Sequence, residues 1–331
     1  MQDKGKPASI ADLRGAVEPA LAFLAGMQLG VFSAIGDGAR TAEEIATEIG
    51  CDAGRLQRLL YALALIGLLD VNDGQFRNGA EAAEMLVAGK PGFIGGAHEV
   101  IAKVWNANLN TAQSIRSGLP AAEHDFSAAP PEETAAFLRG LGPGGLAFGR
   151  TLAGMLDLAK ARSVIDIGGG AGTVLAGLRE KWPQLQATLL ELPEVVVHAG
   201  PILAEMGAGE VMLEEGDILQ GPSRQKHDLA ILRAVIQVLS PADAERAIRH
   251  TAQSLNPGGE AIIGGWGILD DDRLGPRSGV FVNLTFLNFY RDGEAYTESQ
   301  YRGWMEAAGF NQIERGAMPD GTGMFRGRIK G

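Results

Sequence analysis

The chain has 331 residues, with 29 Lys and Arg against 40 Asp and Glu, and a formal net charge of −11 at pH 7. Nucleic-acid binding depends on cations that neutralise phosphates, so this charge argues against a nucleic-acid partner. No apolar stretch reaches the length of a transmembrane helix and the first residues lack a signal core, so we expect a cytoplasmic protein without membrane insertion. The single cysteine, Cys51, excludes an internal disulfide and argues against a cysteine metal cluster, and no metal is predicted.

The first predicted element is a helix from Ile10 to Ile35, whose apolar side chains recur at the spacing of one helix face. This face carries Leu13, Val17, Leu21, Leu24 and Met27. A stripe of this kind suits burial against a second chain. It also suits packing inside the core of one chain.

Two helices and a hairpin are predicted next. Thr41 and Glu44 have the spacing of a capping box, which starts a helix that ends near Ile49. A leucine-rich second helix follows, and residues 69–76 are predicted to form a hairpin that turns at Asp73-Gly74. Together these elements make a winged-helix unit.

Winged helices often bind DNA. Here the second helix of the unit offers only Arg55 and Arg58 as basic residues, and the whole chain is acidic. Because phosphate contacts supply most of the nonspecific affinity for DNA, we interpret the unit as a protein-contacting module instead.

A connecting region is predicted at residues 118–150, where Pro120, Pro130 and Pro131 occur, with a helix expected over 132–156. The chain is therefore divided into a helical, winged-helix domain at 1–117, a linker with connecting helices at 118–150, and a region of alternating strands and helices at 151–331.

The segment Ser163-Val-Ile-Asp-Ile-Gly-Gly-Gly-Ala-Gly172 predicts a buried strand, a tight turn and the start of a helix. Gly168, Gly170 and Gly172 let the backbone turn and approach a ligand without an intervening β-carbon. Asp166 lies in the strand two residues before the first glycine. The spacing Asp-x-Gly-x-Gly-x-Gly is the form seen in class I S-adenosylmethionine (SAM) methyltransferases, although a glycine-rich match alone is weak.

Two later strands end in carboxylates. The strand at 187–191 ends in Glu191, about 20 residues after the glycines, where an acidic side chain can accept ribose hydroxyl groups. A third strand, at 211–218, ends in Gly216-Asp217, and Asp217 could accept the amino group of adenine. Taken alone, Asp217 is more simply a solvated loop residue.

The remaining elements complete an α/β pattern. Strands are predicted at 228–233 and, after a turn at 256–259, at 260–264. A capping box at Thr297 starts a last helix, and final strands are predicted at 311–315 and 323–329. Strands that alternate with helices predict a doubly wound, mainly parallel sheet with its ligand at the carboxyl edge.

From about residue 10 to the C-terminus, the chain resembles the dimeric small-molecule O-methyltransferases, which include plant caffeate-type enzymes and bacterial enzymes that tailor polyketides, antibiotics and pigments. The matching pieces are VIDIGGGAG, ELPEV from Glu191, EGDIL from Glu215 and YRGWMEAAGF from Tyr301. The resemblance implies a Rossmann-like class I sheet whose last strand is antiparallel and an N-terminal winged-helix domain that forms a homodimer. It also implies SAM as the cofactor, S-adenosylhomocysteine (SAH) as the product, and a small-molecule acceptor from secondary metabolism.

The same resemblance implies a set of site residues. Those expected to hold the cofactor are Asp166, Gly168, Gly170, Gly172, Glu191, Leu192, Gly216, Asp217, Ile218 and Arg233. Those expected to line the acceptor pocket are Trp105, Asn283, Phe286, Leu287 and Tyr290.

The chain departs from the family at the acceptor. The family places a histidine general base after the fourth strand, and here Gln237 occupies that position. An amide can orient a substrate but does not take a proton near neutral pH. Two family glutamates that steady the histidine align with Gly265 and Ala295, although Glu294 lies one residue from the second position. His98 is the best substitute base, and a satisfied surface histidine is the more ordinary interpretation of it.

Methyl transfer itself needs no protein nucleophile, because SAM carries a sulfonium and only acceptor activation needs a base. We therefore predict O- or C-methylation of a small, largely apolar acceptor that is already acidic or is activated by water. The alternative is a SAM-binding family member that has been recruited to a non-methylating reaction or to ligand binding.

Overall fold

The computed structural model describes residues 9–90, 92–123 and 129–331. The chain divides into two compact units between Lys103 and Val104. Each unit is described by itself below.

The N-terminal unit is a set of short helices with a three-stranded antiparallel sheet in the order β1-β3-β2. Its elements are α1 (Ile10–Gly15), α2 (Val17–Gln28), α3 (Val31–Ile35), β1 (Arg40–Thr41), α4 (Ala42–Ile49), α5 (Ala53–Leu65), β2 (Leu69–Asn72), β3 (Gln75–Asn78), α6 (Ala80–Met85) and the start of α7 (His98–Asn108). The predicted capping box is confirmed, since Thr41 and Glu44 each accept the backbone N–H of the other. The predicted hairpin is confirmed too, with φ of 47° at Asp73 and 74° at Gly74.

The single helix predicted over residues 10–35 is wrong, because three helices occupy this segment. Gly30 adopts a left-handed φ of 71°, which no α-helix contains, and it separates α2 from α3. The apolar stripe is also divided. Leu24 and Met27 are buried in the unit, whereas the side of the stripe that contains Leu13, Val17 and Leu21 is at least half exposed.

The C-terminal unit is an α/β sandwich. After α7 its elements are α8 (Thr111–Ser117), α9 (Pro131–Met155), β4 (Ser163–Ile167), α10 (Thr173–Lys181), β5 (Gln186–Glu191), α11 (Pro193–Glu205), β6 (Met212–Glu215), β7 (His227–Arg233), α12 (Pro241–Gln253), β8 (Leu255–Gly265), β9 (Ile268–Leu269), α13 (Arg277–Phe289), β10 (Tyr296–Thr297), α14 (Glu298–Ala307), β11 (Phe310–Ala317) and β12 (Gly323–Ile329). Here α8 packs against α13, so it belongs to this unit although the sequence-based division placed residues up to 117 in the first domain.

The main sheet has the order β11-β12-β8-β7-β4-β5-β6, with β4, β5, β6, β7 and β8 mutually parallel. Only the last strand, β12, runs antiparallel to both of its neighbours, β8 and β11. The predicted α/β class is therefore confirmed. Side chains alternate between two buried layers, so that Val164 faces one layer and Ile165 and Ile167 face the other.

Two strand boundaries differ from the prediction. The strand β6 ends at Glu215, so Gly216 and Asp217 lie beyond it, although the N–H of Gly216 still donates to the carbonyl of Glu191 in β5 at 2.9 Å. The turn predicted at 256–259 lies within the span of β8, at a point where Gly258 has a left-handed φ of 78° and the pairing with β7 is interrupted. The register between β7 and β8 jumps from His227↔Leu255 to Leu229↔Glu260, so the strand absorbs the extra residues as an irregularity.

Among the described residues, no helix is both long enough and apolar enough to cross a membrane. The cytoplasmic location stays a prediction from the sequence.

Candidate active site

A glycine-rich loop joins the carboxyl end of β4 to α10. Gly168, Gly170 and Gly172 have φ of 65°, 59° and 73°, a left-handed conformation that favours glycine. Gly169 is required for another reason, since a β-carbon built there would lie 2.2 Å from Oδ2 of Asp166. No side chain caps the N-terminus of α10. The loop is therefore a cradle where a ligand can approach backbone N–H groups.

Asp166 lies beneath this loop and is fully buried. Neither of its carboxylate oxygens has a hydrogen-bond partner among the described residues. Burial, and after it the charge of Glu191, raises the pKa of Asp166 to about 7, while Arg233 acts in the opposite direction. An unpartnered buried carboxyl is costly, so this position fits a ligand that brings a hydrogen-bond donor or a positive charge.

Glu191 ends β5 and binds the glycine loop. Its Oε2 accepts the N–H of Gly170 and its Oε1 accepts the N–H of Leu192, both at 2.8 Å. Burial raises the pKa of Glu191, and these two backbone hydrogen bonds act against that rise. A carboxylate has about four acceptor sites, so Glu191 can still accept two hydroxyl groups while it holds the loop.

The segment after β6 lies beside Glu191 through the Gly216 hydrogen bond described above. Asp217 uses Oδ1 to accept the N–H of Leu219 at 2.8 Å, which fixes the turn and leaves Oδ2 as a second acceptor. Ile218 is buried, and its carbonyl lies 2.6 Å from Nδ1 of His250, which gives this histidine a structural contact.

Arg233 ends β7 on the same side of the sheet as Asp166. Its guanidinium lies 5.3 Å from the ring centroid of Phe148 in α9. Burial lowers the pKa of Arg233, and the charge of Asp166 opposes this effect. The structure thus brings together the cofactor residues that the sequence predicted at the ends of β4, β5, β6 and β7.

Sequence reasoning missed the part played by α9. A β-carbon on Gly145 would lie 2.1 Å from Oγ1 of Thr173, and one on Gly149 would lie 2.1 Å from the carbonyl oxygen of Val174. These glycines let α9 pack directly on α10, and Leu138 of α9 reaches the position above Gly170. The spacing of glycines inside a predicted helix was the signal that could have revealed this contact.

The turn after β7 adjoins the glycine loop. Ala234 has a φ of 61°, which is uncommon for a residue with a side chain, and its N–H donates to the carbonyl of Gly264 at 2.7 Å. Next to it, Cγ2 of Val235 lies 2.7 Å from where a β-carbon of Gly168 would stand. A side chain on this turn is therefore placed close to the cofactor cradle.

Gln237 lies in this turn, in a short 3₁₀ segment at Ile236–Val238, and is 5% exposed. Its Oε1 accepts the N–H of Gly267 at 3.2 Å. A β-carbon on Gly265 would lie only 2.6 Å from that oxygen. A side chain at position 265, where the resemblance expects a supporting glutamate, would therefore point at Gln237, which the resemblance aligns with the histidine.

Several predicted pocket residues lie near Gln237. Phe286 is buried, and an atom of its ring lies 3.0 Å from where a β-carbon of Gly267 would stand. Asn283 accepts the N–H of Ala295 at 2.7 Å, and Ala295 packs in one apolar cluster with Phe286. The ring of Tyr290 lies 5.7 Å from that of Phe286, and burial raises the pKa of Tyr290.

For the remaining predicted residues, Trp105, Leu287 and His98, the structure shows burial but, within the ranges that it describes, no contact that assigns a role. Trp105 in α7 and Leu287 in α13 are half-buried. His98 lies in the N-terminal unit, where its Nδ1 is buried without a hydrogen-bond partner among the described residues. Its role stays a prediction. Within the described part of the chain, no group of three or more His, Cys, Asp or Glu could hold a metal ion.

Comparison with known proteins identifies the family. An O-methyltransferase domain model matches residues 114–311, and an O-methyltransferase dimerisation domain model matches residues 5–89. The chain is 28% identical to 3-hydroxy-5-methyl-1-naphthoate 3-O-methyltransferase of Streptomyces sahachiroi, over 97% of this chain and 95% of that protein. It is 26% identical to N,N-dimethyltransferase OxyT of Streptomyces rimosus, over 93% and 92%.

Among solved structures, human N-acetylserotonin methyltransferase in complex with SAM superposes with a TM-score of 0.82 at 20% identity, over 99% of this chain and 100% of that chain. This likeness covers both units of the fold. The domain models, the relatives and the geometry of the glycine loop agree, and this chain belongs to the SAM-dependent O-methyltransferase family.

Proposed function

We propose that this enzyme methylates a hydroxyl group on a small aromatic acceptor of bacterial secondary metabolism without a histidine general base. The observation that carries the proposal is that Gln237, which the resemblance aligns with the family histidine, is a buried amide on the turn beside the glycine loop. The name of the relative from Streptomyces sahachiroi specifies a hydroxynaphthoate, and this supports an acceptor with one or two aromatic rings.

The residues at the sheet edge fit SAM. The left-handed glycines of the loop leave its backbone open to a ligand, and Asp166 beneath it is a buried carboxyl without a hydrogen-bond partner among the described residues. We assign the hydroxyl groups of the ribose to Glu191, whose two oxygens each have a remaining acceptor site. Asp217 Oδ2 would accept the adenine amino group, with Leu192 and Ile218 as apolar neighbours.

When it is bound, SAM supplies an electrophilic methyl group on a sulfonium. The chain's own task is to hold the acceptor in line with that methyl group and to exclude water. Phe286 and Gln237 both contact Gly267, so an aromatic ring and an amide lie side by side at this point. Gln237 orients the acceptor and takes no proton.

A calorimetric titration with SAH tests the cofactor site without knowledge of the acceptor. Micromolar binding that weakens in Glu191→Ala and Asp217→Ala supports the assignment. The absence of binding by folded protein would contradict it. Transfer of labelled methyl from SAM to hydroxynaphthalene acceptors then separates the enzyme from the alternative, a SAM-binding protein that transfers no methyl group.

We also assign the exposed half of the predicted stripe to a homodimer contact. Leu13 is 63% exposed and Val17 is 52% exposed, and a contiguous exposed apolar patch of this kind marks a protein contact. The match to a dimerisation domain over residues 5–89 supports this assignment. The double variant Val17→Asp/Leu21→Asp should run as a monomer in light scattering, and a dimer of unchanged mass would contradict the assignment.

A further inference from the structure

We propose that Gln237 donates a hydrogen bond to the acceptor oxygen in its anionic form, and that the enzyme therefore selects hydroxyl groups acidic enough to ionise without help from a protein base. This inference rests on the proposed function, because it places the acceptor at the turn after β7. It names the chemical class of acceptor that the site takes.

The orientation of the Gln237 amide is set by the backbone N–H of Gly267, which can only donate a hydrogen bond. The N–H of Gly267 requires an acceptor, so the atom of Gln237 that faces it is Oε1. Nε2 therefore points elsewhere, and it donates no hydrogen bond to a described residue. It is also not one of the fully enclosed unpaired polar atoms in that part of the chain, so it keeps access to the space beside the turn. The group offered to a ligand is an N–H donor.

The amide cannot easily turn over or move. Rotation by half a turn would place Nε2–H against the N–H of Gly267, two donors in contact. A β-carbon on Gly267 would lie 2.8 Å from Cβ of Gln237, and one on Gly293 would lie 2.5 Å from its carbonyl oxygen. Tyr296 donates its hydroxyl to the carbonyl of Leu239 at the end of the turn. Gln237 is thus held in place before any acceptor arrives.

At the two positions where the resemblance places carboxylates, this chain has no side chain that could accept a substrate proton. Gly265 has no side chain, and its missing β-carbon points at Oε1 of Gln237. Ala295 contributes a methyl group that packs in the apolar cluster of Phe286. A neutral hydroxyl that accepted from Nε2 would keep its proton unpaired here, whereas a phenolate needs only donors. Charges of both signs border this turn: Arg233 ends β7 before it, and Asp292 and Glu294 flank Gly293, which packs on the carbonyl of Gln237. The fixed N–H donor of Gln237, and not the net charge of its surroundings, is what favours the anion.

Kinetics with a graded series of 1-naphthols, from the unsubstituted compound to nitro-substituted ones of increasing acidity, test this directly. We expect the pH midpoint of kcat/KM to move with the pKa of each naphthol, because the substrate and not the enzyme ionises. Gln237→Leu should lower kcat/KM by about 10- to 100-fold, the loss of one hydrogen bond to a charged group. Gln237→His should add activity on 1-naphthol with a midpoint fixed by the new imidazole.

A measurement without turnover gives a second readout. A nitronaphthol changes its absorbance when it ionises, so its pKa can be followed in the complex of enzyme and SAH. We expect the bound probe to ionise about one pH unit below its pKa in solution, and the shift should vanish in Gln237→Leu while SAH affinity is unchanged. If that variant does not fold, the shift in the unaltered enzyme still decides the matter.

The outcomes separate the two levels of the argument. An enzyme that binds SAH but methylates no naphthol at any pH overturns the proposed function, and this inference falls with it. Methylation with one pH midpoint common to all naphthols, or a bound probe with an unshifted pKa, overturns the inference alone. Methylation of 1-naphthylamine in preference to every naphthol would show that the site takes a neutral lone pair, and that result would also overturn it.

Discussion

Two regions of the C-terminal unit each contain a buried side chain that binds backbone N–H groups. One is the edge formed by β4 and β5, the other is the turn after β7, and the two use different chemical groups. At the first, the buried carboxylate of Glu191 binds backbone N–H groups of the glycine loop. At the second, the buried amide of Gln237 binds the backbone N–H of Gly267. Both side chains are held by backbone donors, but the first is a carboxylate and the second is a neutral amide.

We relate this difference to the ligands proposed for the two regions, the cofactor at the first and the acceptor at the second. A cofactor of constant structure can be matched by ionisable groups in fixed positions, such as Asp166 and Arg233 on one side of the sheet. In the acceptor region an amide and a glycine stand where the resemblance expects charged side chains, and on our proposal the ionisation that the reaction needs is left to the substrate. The predictions below perturb first one region and then the other.

The largest loss of stability is expected from a substitution in α9, where this helix packs on α10. In Gly149→Ala, the new β-carbon would stand 2.1 Å from the carbonyl oxygen of Val174, which belongs to the backbone of α10 and cannot move alone. We expect the free energy of unfolding to fall by about 3 kcal/mol in urea denaturation, with weaker SAH binding. Gly154→Ala is the matched control, because nothing lies within 4 Å of that position in the same helix. The control should be neutral or stabilising by about 0.5–1 kcal/mol, and equal losses in both variants would contradict the packing argument.

Next in size is the loss of the carboxylate that binds the loop. Glu191→Ala removes the acceptor for the N–H groups of Gly170 and Leu192, and calorimetry should show SAH binding weakened by about 100-fold. Glu215 is the control, since it pairs with Glu191 across β5 and β6 but is exposed. Glu215→Ala should bind SAH normally, and similar affinities in the two variants would refute the role given to Glu191.

A pH dependence distinguishes Asp166 from these neighbours. Its pKa of about 7 in the folded chain lies above the ordinary value of 3.8, so the folded state holds a proton that the unfolded chain loses. The stabilisation from this proton is complete below about pH 4 and is lost as the pH rises to 7, at up to about 1.4 kcal/mol per pH unit. Without cofactor, Asp166→Asn should therefore gain stability over the unaltered chain at pH 8 compared with pH 5. A parallel pH dependence of the two proteins in urea denaturation would contradict the assigned pKa.

The sequence predicted the cofactor edge well because its signals are local. Three left-handed glycines after a strand, and a carboxylate at the end of the next strand, leave a recognisable spacing. The first helix failed for a local reason too, since Gly30 alone breaks α2 from α3, and a periodic apolar pattern does not reveal such a break. The exposure of Leu13 and the burial of Met27 depend on the packing of the unit and could not be read from periodicity.

The acceptor region was harder to predict because its contacts join distant segments. The sequence indicated that Gln237 and Gly265 depart from the family pattern, but not that the missing side chain of one points at the amide of the other. The contact of α9 with the glycine loop is likewise long-range. It depends on glycines at 145 and 149 that look, in a sequence, like ordinary interruptions of a helix.

The smallest predicted effect tests the coupling within the acceptor region. In Gly265→Ala the new β-carbon would lie 2.6 Å from Oε1 of Gln237, so the amide must move and lose its hydrogen bond to Gly267. We expect kcat/KM for an acidic naphthol to fall by about tenfold while SAH affinity is unchanged, since Gly265 is on the opposite side of the sheet from Asp166. Gly303→Ala, with nothing within 4 Å of that position, serves as the control.

The double variant decides whether the clash is the cause. If Gly265→Ala acts only by displacing the amide, it should cost little more once Gln237→Ala has removed that amide, and the two losses in kcat/KM will not add. Full additivity would mean that Gly265 acts through β8 or β12 and not through Gln237. Non-additive losses with constant SAH affinity would show that glycine at 265 is retained because the amide occupies the space where the family carries a carboxylate.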